Sequence, residues 1–249
     1  MTLHERELAW EGCLNVRDLG GHTTGAGDET RYGAVVRADS VRQLTPAGWE
    51  AAVSYGIRRV IDLRTHAELE ADPPADLPIE VLHIPFMDDN PAVFEEVEAA
   101  GAAAPDAMSA TRDVYLIFLE RFKSNVAAVI RAVARAPEGG IVVHCMGGKD
   151  RTGLVTALLL HLAGVDAEQI GGDYALSEER LRPRHRAWLA EAETDAERER
   201  LQRISQTPAA SMIGVLEQLE RRYGSVEEFL HSTGLTDEEL ELARARLRD

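Results

Sequence analysis

Lysine is nearly missing from this chain: only Lys123 and Lys149 occur, and every other basic residue is arginine. Cysteine is equally scarce, with Cys13 and Cys145 alone. Two thiols cannot build a disulfide framework and are too few for a cysteine-rich zinc site. The longest apolar run, around 154–163, falls well short of the roughly 20 residues needed to cross a bilayer, so no stable membrane insertion is expected. The first ten residues, MTLHERELAW, carry charge throughout and hold no apolar core of a signal peptide. These absences predict a cytoplasmic protein. Positive charge is also in deficit, with 27 Lys+Arg against 43 Asp+Glu and a net charge of −16. Nonspecific binding to nucleic acid or anionic membranes needs a basic surface, so those classes are excluded. An anionic substrate is still admissible, because a local pocket can oppose the global field.

What is present is an ordinary globular composition, 45% hydrophobic and 28% charged over 249 residues. No fixed-period repeat and no low-complexity linker divides the chain, which predicts a single domain over 1–249. Turn-rich GGHTTGAG at 20–27 and DPPADLP at 72–78 mark breaks. Strands are expected at 33–38, 59–63, 81–84 and 141–144, where short β-branched runs occur. A helix is expected at 46–55, opened by Thr45 and Pro46. Residues 113–134 place Tyr115, Phe118, Leu119, Phe122, Val126, Val129, Ile130 and Val133 at helical spacing, which predicts one long helix with an apolar core face. Residues 151–163 are apolar on nearly every side and stop at Gly164, a central buried helix. From Asp166 onward the pattern is wholly helical, with S/T-x-x-E caps at Thr194, Ser225 and Thr236. The charged stretch 178–203 reads as a solvated helical excursion, with a lid as the sharper alternative. Strands alternating with helices in the first two-thirds give an α/β class with a helical region at about 166–249.

The chemistry concentrates at His144-Cys145-Met146-Gly147-Gly148-Lys149-Asp150-Arg151-Thr152-Gly153. A buried strand enters this segment and an apolar helix leaves it. The cysteine therefore faces a loop whose N–H groups converge at a helix N-terminus, a nest for an anion of phosphate size. Arg151 can fold back and grip two phosphate oxygens. Helix N-termini and nearby cations favour the thiolate, so Cys145 is expected to attack phosphorus as the anion and form a phosphocysteine. Rival motifs fail on residues. Val142 stands where a Walker A loop needs its first glycine, and Asp150 follows Lys149. No H-E-x-x-H occurs, and His144 lacks a second Cys/His cluster, so no metal and no other cofactor is expected.

The run His-Cys-x5-Arg-Thr-Gly resembles the signature loop of the cysteine-dependent protein tyrosine phosphatases and their dual-specificity and lipid-phosphatase relatives. Its form HCxxGKDRTG is similar to that of bacterial tyrosine/lipid phosphatases. Asn15-Val16-Arg17-Asp18-Leu19-Gly20-Gly21, Val60-Ile61-Asp62-Leu63-Arg64 and Asp173-Tyr174-Ala175-Leu176-Ser177 resemble further elements of that family, in the same order. The resemblance spans about residues 8–240. It implies a protein-tyrosine-phosphatase-like fold, with a central mostly parallel sheet flanked by helices. The implied partners are a phosphorylated protein or, alternatively, a phosphoinositide. A catalytically silent phosphate-binding module is the reading from another class. The sequence sets no oligomeric state.

The resemblance assigns Cys145 as nucleophile and Arg151 as phosphate clamp, with Met146, Gly147, Gly148, Lys149 and Asp150 cradling the phosphate. Thr152 would hydrogen-bond the cysteine sulfur, and His144 would orient the loop. No Trp-Pro-Asp loop exists to supply a general acid, so three aspartates compete. Asp150 is favoured, because bound phosphate would promote its protonated form. Asp88 follows a strand, and Asp62 beside Arg64 reads equally as an ion pair. Arg17, Arg64 and Arg180 are candidate outer cations. Cys13 reads as a small core residue.

Overall fold

The computed structural model describes residues 6–73 and 79–248; of the expected N-terminal segment and the break at 72–78, residues 1–5 and 74–78 lie outside the described residues. The β-branched runs form a five-stranded sheet: β1 (Arg17–Asp18), β2 (Val35–Ala38), β3 (Ile57–Asp62), β4 (Glu80–His83) and β5 (Gly140–His144). Their order is β1-β2-β5-β3-β4, and all neighbours are parallel except the β1–β2 pair. Parallel strands lie between two layers and so must be apolar on both faces. Alternation divides them: Val35, Ile61, Ile141 and Val143 enter a large core, while Val36, Val60 and Val142 join a smaller one with Trp10 and Val41.

Helix α1 (Pro46–Ser54) begins as expected, with Thr45 Oγ1 accepting from the Gly48 N–H and proline in the first turn. Helix α2 (His66–Ala71) lies outside the sequence expectations, although Thr65 and Glu68 form a complete capping box. After α3 (Pro91–Ala103), the expected single helix over 113–134 is two: α4 (Ala107–Arg121) and α5 (Lys123–Ala134). The chain leaves helical geometry at Phe122, with φ −115° and ψ 32°. Length explains the correction. A straight helix of that span would be about 33 Å long, whereas the longest strand, at six residues, covers about 20 Å. The turn lets Tyr115 and Leu119 on α4 enter the same core as Val126 and Ile130 on α5.

Helix α6 (Asp150–Leu162) follows β5, is buried on almost every side, and ends before Gly164 at φ 86°. The rest is helical: α7 (Ala167–Arg180), α8 (Arg182–Glu191), α9 (Asp195–Ser205), α10 (Ala209–Tyr223), α11 (Val226–Ser232) and α12 (Asp237–Arg248). Helices α10 and α12 bury Met212, Leu216, Leu219, Leu240 and Ala243 in the large core. The α8–α9 pair is different, because α9 buries none of its residues. Among the described residues, no helix is long and apolar enough to cross a membrane.

Candidate active site

The C-terminal ends of β2, β3 and β5 deliver three segments to one end of the sheet, where open parallel sheets present their ligand crevices. Cys145 stands directly after β5 and is 2% exposed. The loop from Cys145 to Lys149 then turns into α6. Gly148 makes that turn at φ 63°, and a Cβ there would stand 2.3 Å from the Ala38 carbonyl oxygen, so only glycine fits.

Four successive loop carbonyls are held from outside. His144 Nδ1 lies 3.1 Å from the Cys145 carbonyl oxygen. The Met146 oxygen accepts from the Ser40 N–H at 3.1 Å and from Arg184 Nη1 at 3.2 Å. Asn15 Nδ2 donates to the Gly147 and Gly148 oxygens at 3.0 and 3.1 Å, and Arg37 Nη2 donates to Gly148 at 2.7 Å. Each peptide is planar and trans, so a carbonyl tied outward directs the next N–H the opposite way. The N–H groups from Met146 to Lys149 accordingly turn inward, and none of them bonds a group among the described residues. Four such donors can hold an anion, and an outer shell of side chains fixes them.

That shell is a buried ionic cluster. Asp173 on α7 receives Arg17 Nε at 3.0 Å, Arg37 Nη1 at 2.7 Å and Arg6 Nη1 at 3.0 Å. Arg17 also donates to Asn15 Oδ1 at 2.5 Å and to Ser177 Oγ at 3.1 Å. Burial alone would raise the Asp173 carboxyl, but the arginines hold it far below the ordinary carboxylate range. Burial and the neighbouring Arg37 push Arg17 down to about 9, still charged at neutral pH. Burial and Arg6 push His22 down to about 4, which makes it a neutral acceptor for Arg6.

Above the loop opens a cleft of about 630 Å³, with Cys145, Arg151 and Asp150 among its lining residues. Both terminal nitrogens of Arg151 engage the Glu68 carboxylate, Nη2 at 2.7 Å from Oε1. Burial would lower the Arg151 guanidinium, yet the Cys145 sulfur and Glu68 hold it above its ordinary value. Asp150 Oδ1 accepts from Tyr115 Oη at 2.5 Å, and Lys149 Nζ lies 3.3 Å away. Lys149 Nζ also donates to the Ile204 carbonyl on α9. At the mouth, Phe94, Met146, Trp188 and Ile204 are 40–45% exposed.

The expected residues do not all meet the cleft. Met146, Gly147, Lys149 and Asp150 line it beside Cys145 and Arg151, whereas Gly148 and Thr152 are not among its lining residues. Thr152 is fully buried, and its Oγ1 has no hydrogen-bond partner among the described residues, Cys145 included. Asp88 is exposed and accepts the Asn90 N–H; its neighbour Asp89 is the one that lines the cleft. Asp62 is buried, bound by Arg64 Nη2 at 2.8 Å, with His144 Nε2 at 3.7 Å. Burial would raise its carboxyl, but His144 and Arg64 hold it below the ordinary range. Arg64 is thereby committed to Asp62 and Asp72, and Arg180 to Glu7. Cys13 is half-buried, donates to the Ser40 oxygen at 3.4 Å, and is pushed up by burial and Asp39.

Sequence reasoning missed Glu68, although the T-x-x-E spacing of Thr65 and Glu68 was a usable signal for α2. It read Tyr115 only as core. Arg37 carried no signal, because its strand neighbours mark it merely as an interruption in GAVVRA.

Residues 8–249 match the family model described as "Tyrosine phosphatase family". A protein named tyrosine-protein phosphatase, from Nostoc commune, is 29% identical over 227 residues, 86% of this chain and 74% of the relative. The triple specificity protein phosphatase PtpB of Mycobacterium tuberculosis is 31% identical over 210 residues, 75% of this chain and 73% of the relative.

Proposed function

The chain belongs to the tyrosine phosphatase family and is a phosphotyrosine hydrolase, and from that premise we propose that it works through a phosphocysteine on Cys145. The inward N–H groups of the 146–149 segment and Arg151 would hold the three non-bridging phosphate oxygens. Sulfur attacks phosphorus and the P–O bond to the leaving oxygen breaks, while Asp150 passes its proton to that oxygen. In the second step, water attacks phosphorus and loses a proton to the Asp150 carboxylate. The S–P bond breaks and the thiolate returns with inorganic phosphate. Preorganised donors aimed at the equatorial oxygens lower the barrier in both steps, because nothing reorganises as charge develops.

The observation that carries this reading is the set of four outward-tied carbonyls, which turns four N–H groups inward beside a buried cysteine and the Arg151 guanidinium. Asp150 is favoured over Asp88 because it lines the cleft with Cys145, while Asp88 accepts the Asn90 N–H and is not among the lining residues. The relative named as a triple specificity phosphatase supports a wider range that includes phosphoserine and phosphothreonine. Turnover of an aryl phosphate by wild type and by Cys145→Ser tests the mechanism. The substitution is expected to abolish it, and equal rates would remove the cysteine from the reaction. Rates on phosphotyrosine and phosphoserine peptides and on inositol-phospholipid headgroups then rank the substrates.

A further inference from the structure

Tyr115 and Tyr174 come from different helices, α4 and α7, and meet at the first turn of α6. Both are buried, at 2% and 1% exposure, with rings edge-on at 6.0 Å. Their hydroxyl oxygens are 2.9 Å apart. Tyr174 approaches closely because Gly153 faces it; a Cβ there would stand 3.2 Å from Tyr174 Cδ2. Tyr115 Oη donates to Asp150 Oδ1 at 2.5 Å. A phenol has one proton, so Tyr115 spends it on Asp150, and Tyr174 must be the donor between the two hydroxyls. The chain therefore has a direction, Tyr174 to Tyr115 to Asp150. Burial and Asp150 keep both phenols protonated far above neutral pH.

Oδ1 thus accepts from the Tyr115 hydroxyl, whose one proton is spent there, and lies 3.3 Å from the Lys149 ammonium, which can only donate. A proton on Oδ1 would point at a donor. No hydrogen bond among the described residues reaches Oδ2, and the Asp150 side chain is 43% exposed in the cleft. We propose that Tyr115, backed by Tyr174, is a positioning residue that confines the transferable proton of Asp150 to Oδ2, facing the leaving oxygen. The proposal rests on Asp150 as the general acid. During P–O cleavage the proton passes from Oδ2 to the leaving oxygen, and the resulting carboxylate is held in place by the Tyr115 hydrogen bond. That same carboxylate then accepts the proton of the attacking water.

A purely structural role would slow all substrates alike. A role in placing the acid must depend on how much the leaving oxygen needs a proton. The test is kcat/KM over a series of aryl phosphates, from phenyl phosphate to 2,4-dinitrophenyl phosphate. Tyr115→Phe, which keeps the ring, is expected to lower the rate on phenyl phosphate about tenfold or more and on dinitrophenyl phosphate less than about twofold. Tyr174→Phe is expected to act in the same direction and more weakly. Combined with Asp150→Asn, Tyr115→Phe is expected to add no further dependence on the leaving group. A uniform loss in Tyr115→Phe, alongside a leaving-group-dependent loss in Asp150→Asn, rejects the positioning role and keeps the acid. A uniform loss in Asp150→Asn rejects both. If Tyr115→Phe does not fold, a uniform loss in Tyr174→Phe overturns the proposal by itself.

Discussion

Beneath the 145–149 loop, three arginines share one buried carboxylate; above it, four apolar side chains stand exposed around the cleft. Arg17, Arg37 and Asp173 are each about 1% exposed and reach the loop through Asn15 and the Gly148 carbonyl. At the mouth, Phe94, Met146, Trp188 and Ile204 are exposed, and helix α9 buries nothing. The contrast teaches where the site is rigid. Buried charges fix geometry because no water can replace a lost partner. Exposed apolar groups are free to select among substrates at little cost to the fold.

The largest expected effect comes from Asp173→Asn, which leaves three guanidinium groups facing one another without their shared anion. Breaking a buried pair of this kind costs about 3–5 kcal/mol, measured as the shift in urea unfolding. A loss under about 1 kcal/mol, the scale of surface pairs, would mean that the floor behaves like the mouth.

A smaller effect concerns acid. The folded state holds His22 neutral by lowering it from 6.5 to about 4, so its contribution is present above about pH 6.5 and fades as pH falls toward 4. Asp173, Arg6, Arg17 and Arg37 face the ring. Between pH 7 and pH 5 this group alone is expected to cost about 2 kcal/mol of stability. Unfolding of wild type and His22→Gln at both pH values checks it. The variant should lose less on acidification, and equal losses would assign the acid sensitivity elsewhere.

The smallest effect on stability is expected at the mouth. Trp188→Ala should change unfolding free energy by no more than about 0.5 kcal/mol, while raising KM for phosphotyrosine peptides with bulky apolar neighbours. A large loss of stability would show that α8 holds up the floor as well as the rim.

The same contrast governs what the sequence made legible. The loop was readable because its chemistry is contiguous: Cys145, Arg151 and the glycines lie within ten residues, between a β-branched run and an apolar helix. The α/β class followed from local periodicity for the same reason. The floor is assembled from Arg6, Asn15, Arg17, Arg37, Asp173 and Ser177, with the bonded pair Arg6 and Asp173 alone 167 positions apart. The motifs around Asn15 and Asp173 stood out, yet nothing local said that they meet beneath the loop. Tyr115 fitted an apolar stripe so well that its hydroxyl went unread. Thr152, expected to bond the Cys145 sulfur, is buried with no hydrogen-bond partner for its Oγ1 among the described residues, and a motif adjacent to Arg151 carries no information on that geometry.

The central claim is that the outward-tied loop serves a cysteine that takes the phosphoryl group. Rapid acid quench of the enzyme turning over a phosphotyrosine substrate, followed by mass spectrometry of the peptide containing Cys145, measures this directly. A phosphoryl adduct is expected on the Cys145 peptide within the first turnover, absent in Cys145→Ser. Undiminished turnover with no adduct on that peptide at any quench time would contradict it.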